Sequence, residues 1–205
     1  MTDDAQKPQG KRERASADRR LKIRDAAMMC FLEYGFHQTG VRDIAARANV
    51  SLGNLYNHFP GKHDVLVEIA ALEREELAPF VRQLSKTGPA VRQFDKFVAS
   101  YAKYLSRPEN VILTIEISSE AIRKPDLGQL FAENRSHLTS AIADLLRRGR
   151  DAQAFDFATD PEDAALMVLE LLEGRAYHCV LNETKMRAQL PGLQMFLHAA
   201  LGVKS

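Results

Sequence analysis

Apolar residues recur every three or four positions along most of this chain, which is the spacing that one face of an α-helix requires. The first such run has its apolar positions at Ile23, Ala26, Ala27, Cys30, Phe31 and Tyr34. Ser16 or Asp18 is placed to cap the start of this helix, and Gly35 is placed to end it. The pattern therefore predicts a helix that begins near residue 16 or 18.

Two shorter apolar runs follow, and a sharp turn separates them. The first run comprises Val41, Ile44, Ala45 and Ala48, and the second comprises Leu52, Leu55, Tyr56 and Phe59. Asn49 lies between them and is a residue type that tolerates the left-handed backbone of a tight turn. Ser51 can cap the second run, and Pro60-Gly61 stops it. Three helices within about 40 residues, with the last two joined by a tight turn, predict a helix-turn-helix.

The rest of the chain predicts a larger helical body. Further amphipathic runs begin near Lys62, after Pro89, at Asp126, at Asp160 and after Pro191. Each has apolar residues at helical spacing, and the run from Asp126 ends at a glycine, Gly149.

Two segments of this body are ambiguous. Pro79 should kink the helix that begins near Lys62 or end it early. The segment from Val111 to Ile117 is rich in β-branched residues and suits a strand as well as a helix. Because a lone strand would have no partner, a helix is the favoured interpretation.

The helix that begins at Asp160 is apolar on nearly every side. Asp160-Pro161-Glu162-Asp163 is a strong start signal, and nine residues from Ala164 to Leu172 include a single charge. Such a helix must be covered on two faces, and the stretch after Pro191 repeats the pattern. Either both helices are internal core, or a second copy of the chain covers them. We favour the second reading, which predicts an all-α homodimer with these helices in the interface.

Composition narrows the class of protein. The chain has 205 residues, 45% of them hydrophobic, which suffices for a globular core. It has no apolar run long enough to span a membrane and no apolar leader at its start, so we expect a cytoplasmic protein. The cysteines Cys30 and Cys179 are isolated, and Cys30 falls on the buried side of the first helix.

The small net charge of +1 hides an asymmetry. Residues 1–62 carry 11 basic and 7 acidic side chains, whereas the remaining residues carry 17 and 20. The basic excess lies between Lys7 and Arg24, which indicates a polyanionic partner for this part of the chain. Residues 1–16 have no hydrophobic periodicity, and we predict that they form a disordered basic arm.

The second short helix of the helix-turn-helix offers side chains that suit a DNA groove. The face opposite its buried side comprises Ser51, Leu52, Gly53, Asn54, Asn57 and His58. Gly53 permits a close backbone approach, and either asparagine could read an adenine edge. Arg42, in the preceding helix, could reach a guanine or a phosphate. His58 has two readings, since it could face DNA or pack beneath Phe59.

The segment from Val41 to Phe59 resembles the TetR family of bacterial transcriptional regulators. The resemblance is specific over residues 20–70 and looser beyond, where Phe155 to Gly174 is similar to a late helix of the family. It implies that the second short helix enters the major groove and that Thr39, Tyr56 and Lys62 touch phosphates. From the residues alone, Tyr56 could instead be a core aromatic and Lys62 a solvated charge.

The same resemblance implies a small-molecule pocket in the later helices, and a helix from about Lys62 that transmits its state to the DNA-binding part. The candidate lining residues are aromatic or apolar residues together with polar ones beside them. They are Phe94, Phe97, Tyr101, Tyr104, Ile115, Phe131 and Tyr177, with Glu116, Ser119, His137 and His178 to orient a polar group. Aromatic and apolar residues at helical spacing are more often ordinary core, and an internal hydrogen bond explains the polar ones equally well. The excess of aromatics favours an apolar or aromatic effector.

Metal and enzyme signatures are missing from the sequence. Histidines and cysteines are scattered without HxxxH, HExxH or CxxC spacing, and no phosphate loop or nucleophile elbow occurs. We therefore expect no catalytic residues, no metal and no cofactor.

The sequence thus predicts an all-α protein with a disordered arm (1–16), a helix-turn-helix DNA-binding domain (17–64) and a larger helical ligand-binding and dimerisation domain (65–205). Its predicted function is that of a ligand-responsive regulator that binds a palindromic double-stranded DNA operator as a homodimer, without a membrane partner. That it represses rests on the resemblance alone. The alternatives are a helical small-molecule-binding protein or enzyme without DNA specificity, and an architectural DNA-binding protein that ignores sequence.

Overall fold

The computed structural model describes residues 7–203, with side chains from Arg12 onward. This part of the chain is helical and contains no strand, so the predicted all-α class is confirmed. The helices are α1 (Lys7–Tyr34), α2 (Val41–Arg47), α3 (Leu52–Tyr56), α4 (Lys62–Leu84), α5 (Ala90–Leu105), α6 (Pro108–Ala121), α7 (Pro125–Asp151), α8 (Pro161–Leu181) and α9 (Met186–Ala200). None of them is both long and apolar enough to cross a membrane.

The chain divides into two compact units, with the boundary inside α4 between Ala70 and Ala71. This is six residues beyond the boundary that the sequence predicts. In the first unit, α1 packs against α2 and α2 packs against α3. The core of this unit is built from fully buried residues of all four helices and of the loop after α3: Ile23, Ala27, Phe31, Ile44, Leu55, Phe59, Val65 and Leu66. The predicted helix-turn-helix is confirmed.

The turns of the first unit follow the sequence closely. Gly35 and Asn49 both have left-handed backbones, with φ of 79° and 54°, and they end α1 and separate α2 from α3. The hydroxyl of Ser51 accepts a hydrogen bond from the amide of Asn54 at 3.2 Å and so caps α3. These three local predictions are confirmed.

Several predicted helix boundaries are wrong. Helix α1 already begins at Lys7, so the predicted disordered arm is not found over residues 7–16, while residues 1–6 lie outside the described part. Lysine, arginine, glutamate and alanine all favour helix, and here they outweigh the missing apolar periodicity. Helix α4 continues past Pro79, because the following turn is anchored by the buried Phe80 and Leu84.

In the second unit one ambiguous segment follows the favoured prediction, and two helix boundaries differ. The segment from Val111 to Ile117 lies in α6, as favoured. Helix α9 begins at Met186, before Pro191, since the buried Met186 adds a turn at its start. Helix α7 runs on to Asp151, and Gly149 is buried inside it where the ring of Phe155 leaves no room for a Cβ atom.

The core of the second unit is formed by α5, α7, α8 and α9 together with the end of α4. Helix α7 packs against α5, α6 and α8, and α5 packs against α9 as well. Four aromatic rings pack against one another in this unit. Phe97 stacks on Tyr101 at 5.5 Å between ring centroids, Tyr101 stacks on Tyr104 at 5.8 Å, and Phe80 meets all three rings edge-on.

A carboxylic acid lies within this core. Glu73 of α4 is only 8% exposed, and its carboxyl atom Oε2 is buried without a hydrogen-bond partner. Burial raises the pKa of Glu73 to about 7, although the charge of Arg135 and a hydrogen bond from Asn134 oppose the shift. The carboxylates of Glu76 and Glu173 raise the pKa further.

We predict that Glu73 makes the stability of this protein fall as pH rises. In the unfolded chain it ionises near its ordinary pKa of 4.5, whereas the folded protein holds the proton up to about pH 7. Folding therefore loses stability between these two pH values, by about 3 kcal/mol once both states are ionised. In urea unfolding, Glu73→Gln should gain stability over the wild type at pH 8 and much less at pH 5.

The matched control is Glu75→Gln, which alters an exposed carboxylate on the same helix. Its difference from the wild type should not depend on pH. Parallel stability curves for Glu73→Gln and the wild type between pH 5 and pH 8 would contradict the prediction.

Candidate DNA-binding surface and candidate ligand cavity

Helix α3 has one buried side and one side open to solvent. Leu55 is fully buried, as is Phe59 just after the helix, and this fixes a helix of five residues that could not form alone. The other side presents most of the residues expected to face DNA. Ser51, Gly53, Tyr56 and Asn57 are exposed, while Leu52, Asn54 and His58 are half-buried.

The two candidate adenine readers differ in what they offer. Asn57 is exposed at the end of α3, so both atoms of its amide are available. In Asn54, by contrast, Oδ1 is buried and has no hydrogen-bond partner. A bidentate contact with adenine uses the oxygen and the nitrogen of the amide together. Asn54 can make it only after its side chain has rotated.

Tyr56 and Arg42 are placed to reach DNA. Tyr56 is 49% exposed, so the alternative of a core aromatic is wrong. Arg42 is exposed on the first turn of α2. Both positions leave a hydrogen-bond donor in solvent.

The structure does not present Thr39 to a phosphate. Its side chain is 1% exposed, and its hydroxyl lies 2.8 Å from the carbonyl oxygen of Gly35 and 3.2 Å from that of Cys30. The single hydroxyl proton is therefore engaged with the end of α1. The phosphate contact that the resemblance implies for this side chain is replaced by a structural role.

Lys62 is likewise engaged inside the first unit. Its ammonium donates to the carbonyls of Phe36 at 2.7 Å, Thr39 at 3.0 Å and His37 at 3.2 Å, and it lies 4.5 Å from the centroid of the Phe36 ring. An ammonium has three protons, and each has an acceptor here. Lys62 therefore ties the start of α4 to the loop before α2. In this arrangement Lys62 is not a solvated charge, and the phosphate contact that the resemblance implies for it stays a prediction.

One residue of the basic run has partners that the charge pattern did not indicate. Arg20 pairs with Glu68 of α4 and donates to the carbonyl of His58, just beyond α3. Apart from its place three residues before the buried Ile23, nothing in the sequence distinguishes Arg20 from its basic neighbours.

The second unit contains a cavity of about 340 Å³ between α6, α7 and α8. Its lining residues are Leu105, Val111, Thr114, Ile115, Ser118, Phe131, Arg135, Glu173, Gly174 and Tyr177. Ile115, Phe131 and Tyr177 are among the predicted lining residues. The cavity thus brings together three of the eleven.

The other predicted lining residues lie elsewhere. Phe94, Phe97 and Tyr101 are buried and fill the core rather than line a cavity, because tight aromatic packing leaves no space beside them. Tyr104 is half-buried, and its hydroxyl donates to Glu76 at 2.9 Å. The remaining four are not grouped at the cavity: Glu116 and Ser119 are half-buried, and His137 and His178 are exposed.

An ion pair that sequence analysis missed forms the polar part of the cavity wall. Arg135 of α7 pairs with Glu173 of α8, and the hydroxyl of Tyr101 donates to Oε1 of the same glutamate at 2.6 Å. The guanidinium also lies 5.2 Å from the ring centroid of Phe131. Arg135 follows Phe131 by four residues and precedes Leu138 by three, so helical periodicity places it on the same face. Glu173 directly follows the apolar run of α8.

These groups determine what the cavity can hold. Its walls are largely apolar, and the ion pair of Arg135 and Glu173 is their charged part. Among residues 7–203, no three histidine, cysteine, aspartate or glutamate side chains are grouped to hold a metal ion. Both cysteines are buried and free.

Comparison with family models assigns both parts of the chain. Residues 23–69 match the model for bacterial regulatory proteins of the tetR family, and residues 92–193 match the C-terminal model for BetI-type transcriptional repressors. The HTH-type transcriptional repressor Rv1474c of Mycobacterium tuberculosis is 27% identical over 139 residues, which are 66% of this chain and 68% of that protein. The regulator RutR of Escherichia coli is 39% identical over 69 residues, 34% of this chain and 32% of RutR.

Solved structures show the same fold. A transcriptional regulator from Saccharomonospora viridis in complex with choline has a TM-score of 0.79 at 19% identity, over 92% of this chain and all of that one. FadR from Bacillus subtilis in complex with stearoyl-CoA has a TM-score of 0.75 at 20% identity, over 88% and 98%. With both family models matched in order and the helix-turn-helix in place, this chain belongs to the TetR family of bacterial transcriptional regulators.

Proposed function

We propose that this protein is a ligand-responsive repressor that binds a palindromic operator as a homodimer. The observation that carries the proposal is the open face of α3, where small and hydrogen-bonding residues lie on a short helix whose other side is fixed in the core. We assign DNA binding to the domain that ends near residue 64, and ligand binding and dimerisation to the remainder.

Contacts with DNA divide into those that read bases and those that set position. Asn57, a rotated Asn54 and Arg42 are the candidates for base edges, with Gly53 allowing a close approach. Tyr56 is the candidate phosphate contact. The exposed basic side chains of α1 should add affinity that depends on salt and ignores sequence.

Exposed apolar residues on α8 and α9 support the homodimer. One side of α8 is buried in the second unit through Ala165, Leu169 and Leu172. Apolar residues that remain in solvent are Leu166, Met167, Leu181, Met195 and Phe196, the last two 73% and 61% exposed. A second copy of the chain would cover them, and a two-fold dimer would read two half-sites about one helical turn apart or slightly more.

The cavity between α6, α7 and α8 supports the proposal that the protein binds a small-molecule effector. We expect a small molecule with an apolar or aromatic body against Phe131 and Tyr177 and a polar group facing Arg135 and Glu173. Two proteins of this fold are described with choline and with stearoyl-CoA, so the fold accommodates very different ligands. A coupling of one to two kcal/mol would weaken DNA binding roughly 5- to 30-fold.

The experiment that tests the function is fluorescence anisotropy at physiological salt, with the duplex flanking the protein's own gene and a shuffled duplex. A specific regulator should prefer the first by about a thousandfold or more. Weak and equal binding would favour an architectural protein. Binding to neither, with ligand-free protein, would favour the alternative of a small-molecule-binding protein without DNA specificity.

The variant Tyr56→Phe should weaken binding to both duplexes by the same factor, about threefold, since one phosphate hydrogen bond is lost and phosphates carry no sequence information. Asn57→Ala should lose more on the operator than on the shuffled duplex. Tyr34→Phe, which alters another exposed tyrosine of the first unit, is the control. Selective loss of operator binding by Tyr56→Phe would contradict its assignment to phosphate.

The homodimer gives a further prediction. Phe196→Glu places a charge in the proposed interface and should shift the protein to monomers in sedimentation velocity at micromolar concentration, because an unpaired charge would be desolvated there. Ile122→Glu, at an 85% exposed residue after α6, should leave the oligomeric state unchanged. Dimers that persist unchanged in Phe196→Glu would argue against an interface on α9.

A further inference from the structure

Arg20 joins three parts of the first unit through one guanidinium. Its Nε donates to Oε2 of Glu68 at 2.6 Å, and Nη2 contacts the same carboxylate. Its Nη1 donates to the carbonyl of His58 at 2.6 Å. Its Cζ lies over the ring of Phe59, 4.2 Å from the ring centroid, and Phe59 is fully buried.

These partners lie on both sides of the loop that follows α3. His58 and Phe59 come directly after the helix, and Glu68 lies on the second turn of α4. The carbonyl of His58 accepts the hydrogen bond that Arg20 donates, so the loop after α3 is bonded directly to α1. Arginine suits this task because its planar group binds a carboxylate, a carbonyl and a ring face at once, whereas the compact ammonium of lysine does not.

Arg20 differs from the neighbouring arginines in its partners, although it is exposed as Arg12, Arg14 and Arg19 are. Arg24 pairs with the adjacent Asp25. Arg20 instead bonds to residues 38 and 48 positions along the chain. Its positive charge is already matched by Glu68, so little of it is left to attract a phosphate.

We propose that Arg20 is a positioning residue for DNA recognition, which fixes the end of α3 against α1 and α4. The proposal rests on the proposed function, in which α3 reads the operator. Base-edge contacts need an accurately placed helix, whereas non-specific attraction to the phosphate backbone does not. Loss of the Arg20 contacts should therefore reduce operator binding and leave binding to unrelated DNA nearly unchanged.

The test uses the full chain and a duplex enriched by the wild-type protein from a random-sequence pool, beside a shuffled duplex. Arg20→Lys keeps the charge and loses the fork of donors. We expect it to bind the enriched duplex about tenfold more weakly, roughly the loss of one good base contact, and the shuffled duplex within twofold of the wild type. Arg19→Lys is the matched control at an adjacent exposed arginine.

The partner residue separates positioning from electrostatics. Glu68→Ala removes a negative charge from the DNA-binding unit, so simple electrostatics would strengthen binding to both duplexes. If Glu68 holds Arg20 in place, the variant should instead weaken binding to the enriched duplex. The double variant with Arg20→Lys should lose little more than either single one.

Hydrogen–deuterium exchange of the free protein tests the effect of the Arg20 contacts in the absence of DNA. The amides of Asn57 and Phe59 bond to carbonyls within α3, and their exchange should be several-fold faster in Arg20→Lys and in Glu68→Ala but not in Arg19→Lys. Equal losses on both duplexes, or exchange and operator binding like those of the wild type, would overturn the positioning role. A wild-type protein that enriches no sequence would overturn the proposed function, and with it this proposal, whatever the exchange shows.

Discussion

A helix of five residues cannot maintain its own conformation, and the first unit is organised around that constraint. A single helical turn makes too few internal hydrogen bonds to offset the ordering of its backbone. The position of α3 is therefore set from outside, by burial of Leu55 and Phe59 and by the bonds of Arg20 to the carbonyl of His58 and to Glu68. A cation, rather than a further apolar contact, completes the fixation because one guanidinium bonds both the carbonyl of His58 and the carboxylate of Glu68.

In the second unit, charged groups lie beside the core and line the cavity instead of holding a short helix in place. Arg135 is shared among carboxylates, since it pairs with Glu173 and also opposes the raised pKa of Glu73. Burying such a group costs stability that an apolar core would not lose. Under the proposed function this loss of stability has a purpose, because the pair of Arg135 and Glu173 forms the polar wall of the ligand cavity. A pocket with apolar walls and a few fixed polar groups orients a small molecule.

The sequence predicted local structure well where one residue determines the backbone. The left-handed Asn49, the cap at Ser51 and the start signal at Asp160 all depend on their own chemistry. It failed where the outcome depends on distant partners. The roles of Lys62 and Arg20 rest on carbonyls and a carboxylate more than 20 residues away, which no periodicity indicates. Aromatic residues at helical spacing likewise predicted burial of Phe94 and Phe97 but could not separate the core from a cavity wall.

Helix α8 is apolar on more sides than its own unit buries. The sequence alone left two readings, an internal helix or one shared with a partner. The structure buries one side of α8 in its own unit and leaves Leu166, Met167 and Leu181 in solvent. Met195 and Phe196 of α9 are exposed as well. An internal helix would have no such exposed side. Since exposure of large apolar side chains to water is unfavourable, the exposed set favours a covering partner over the internal interpretation.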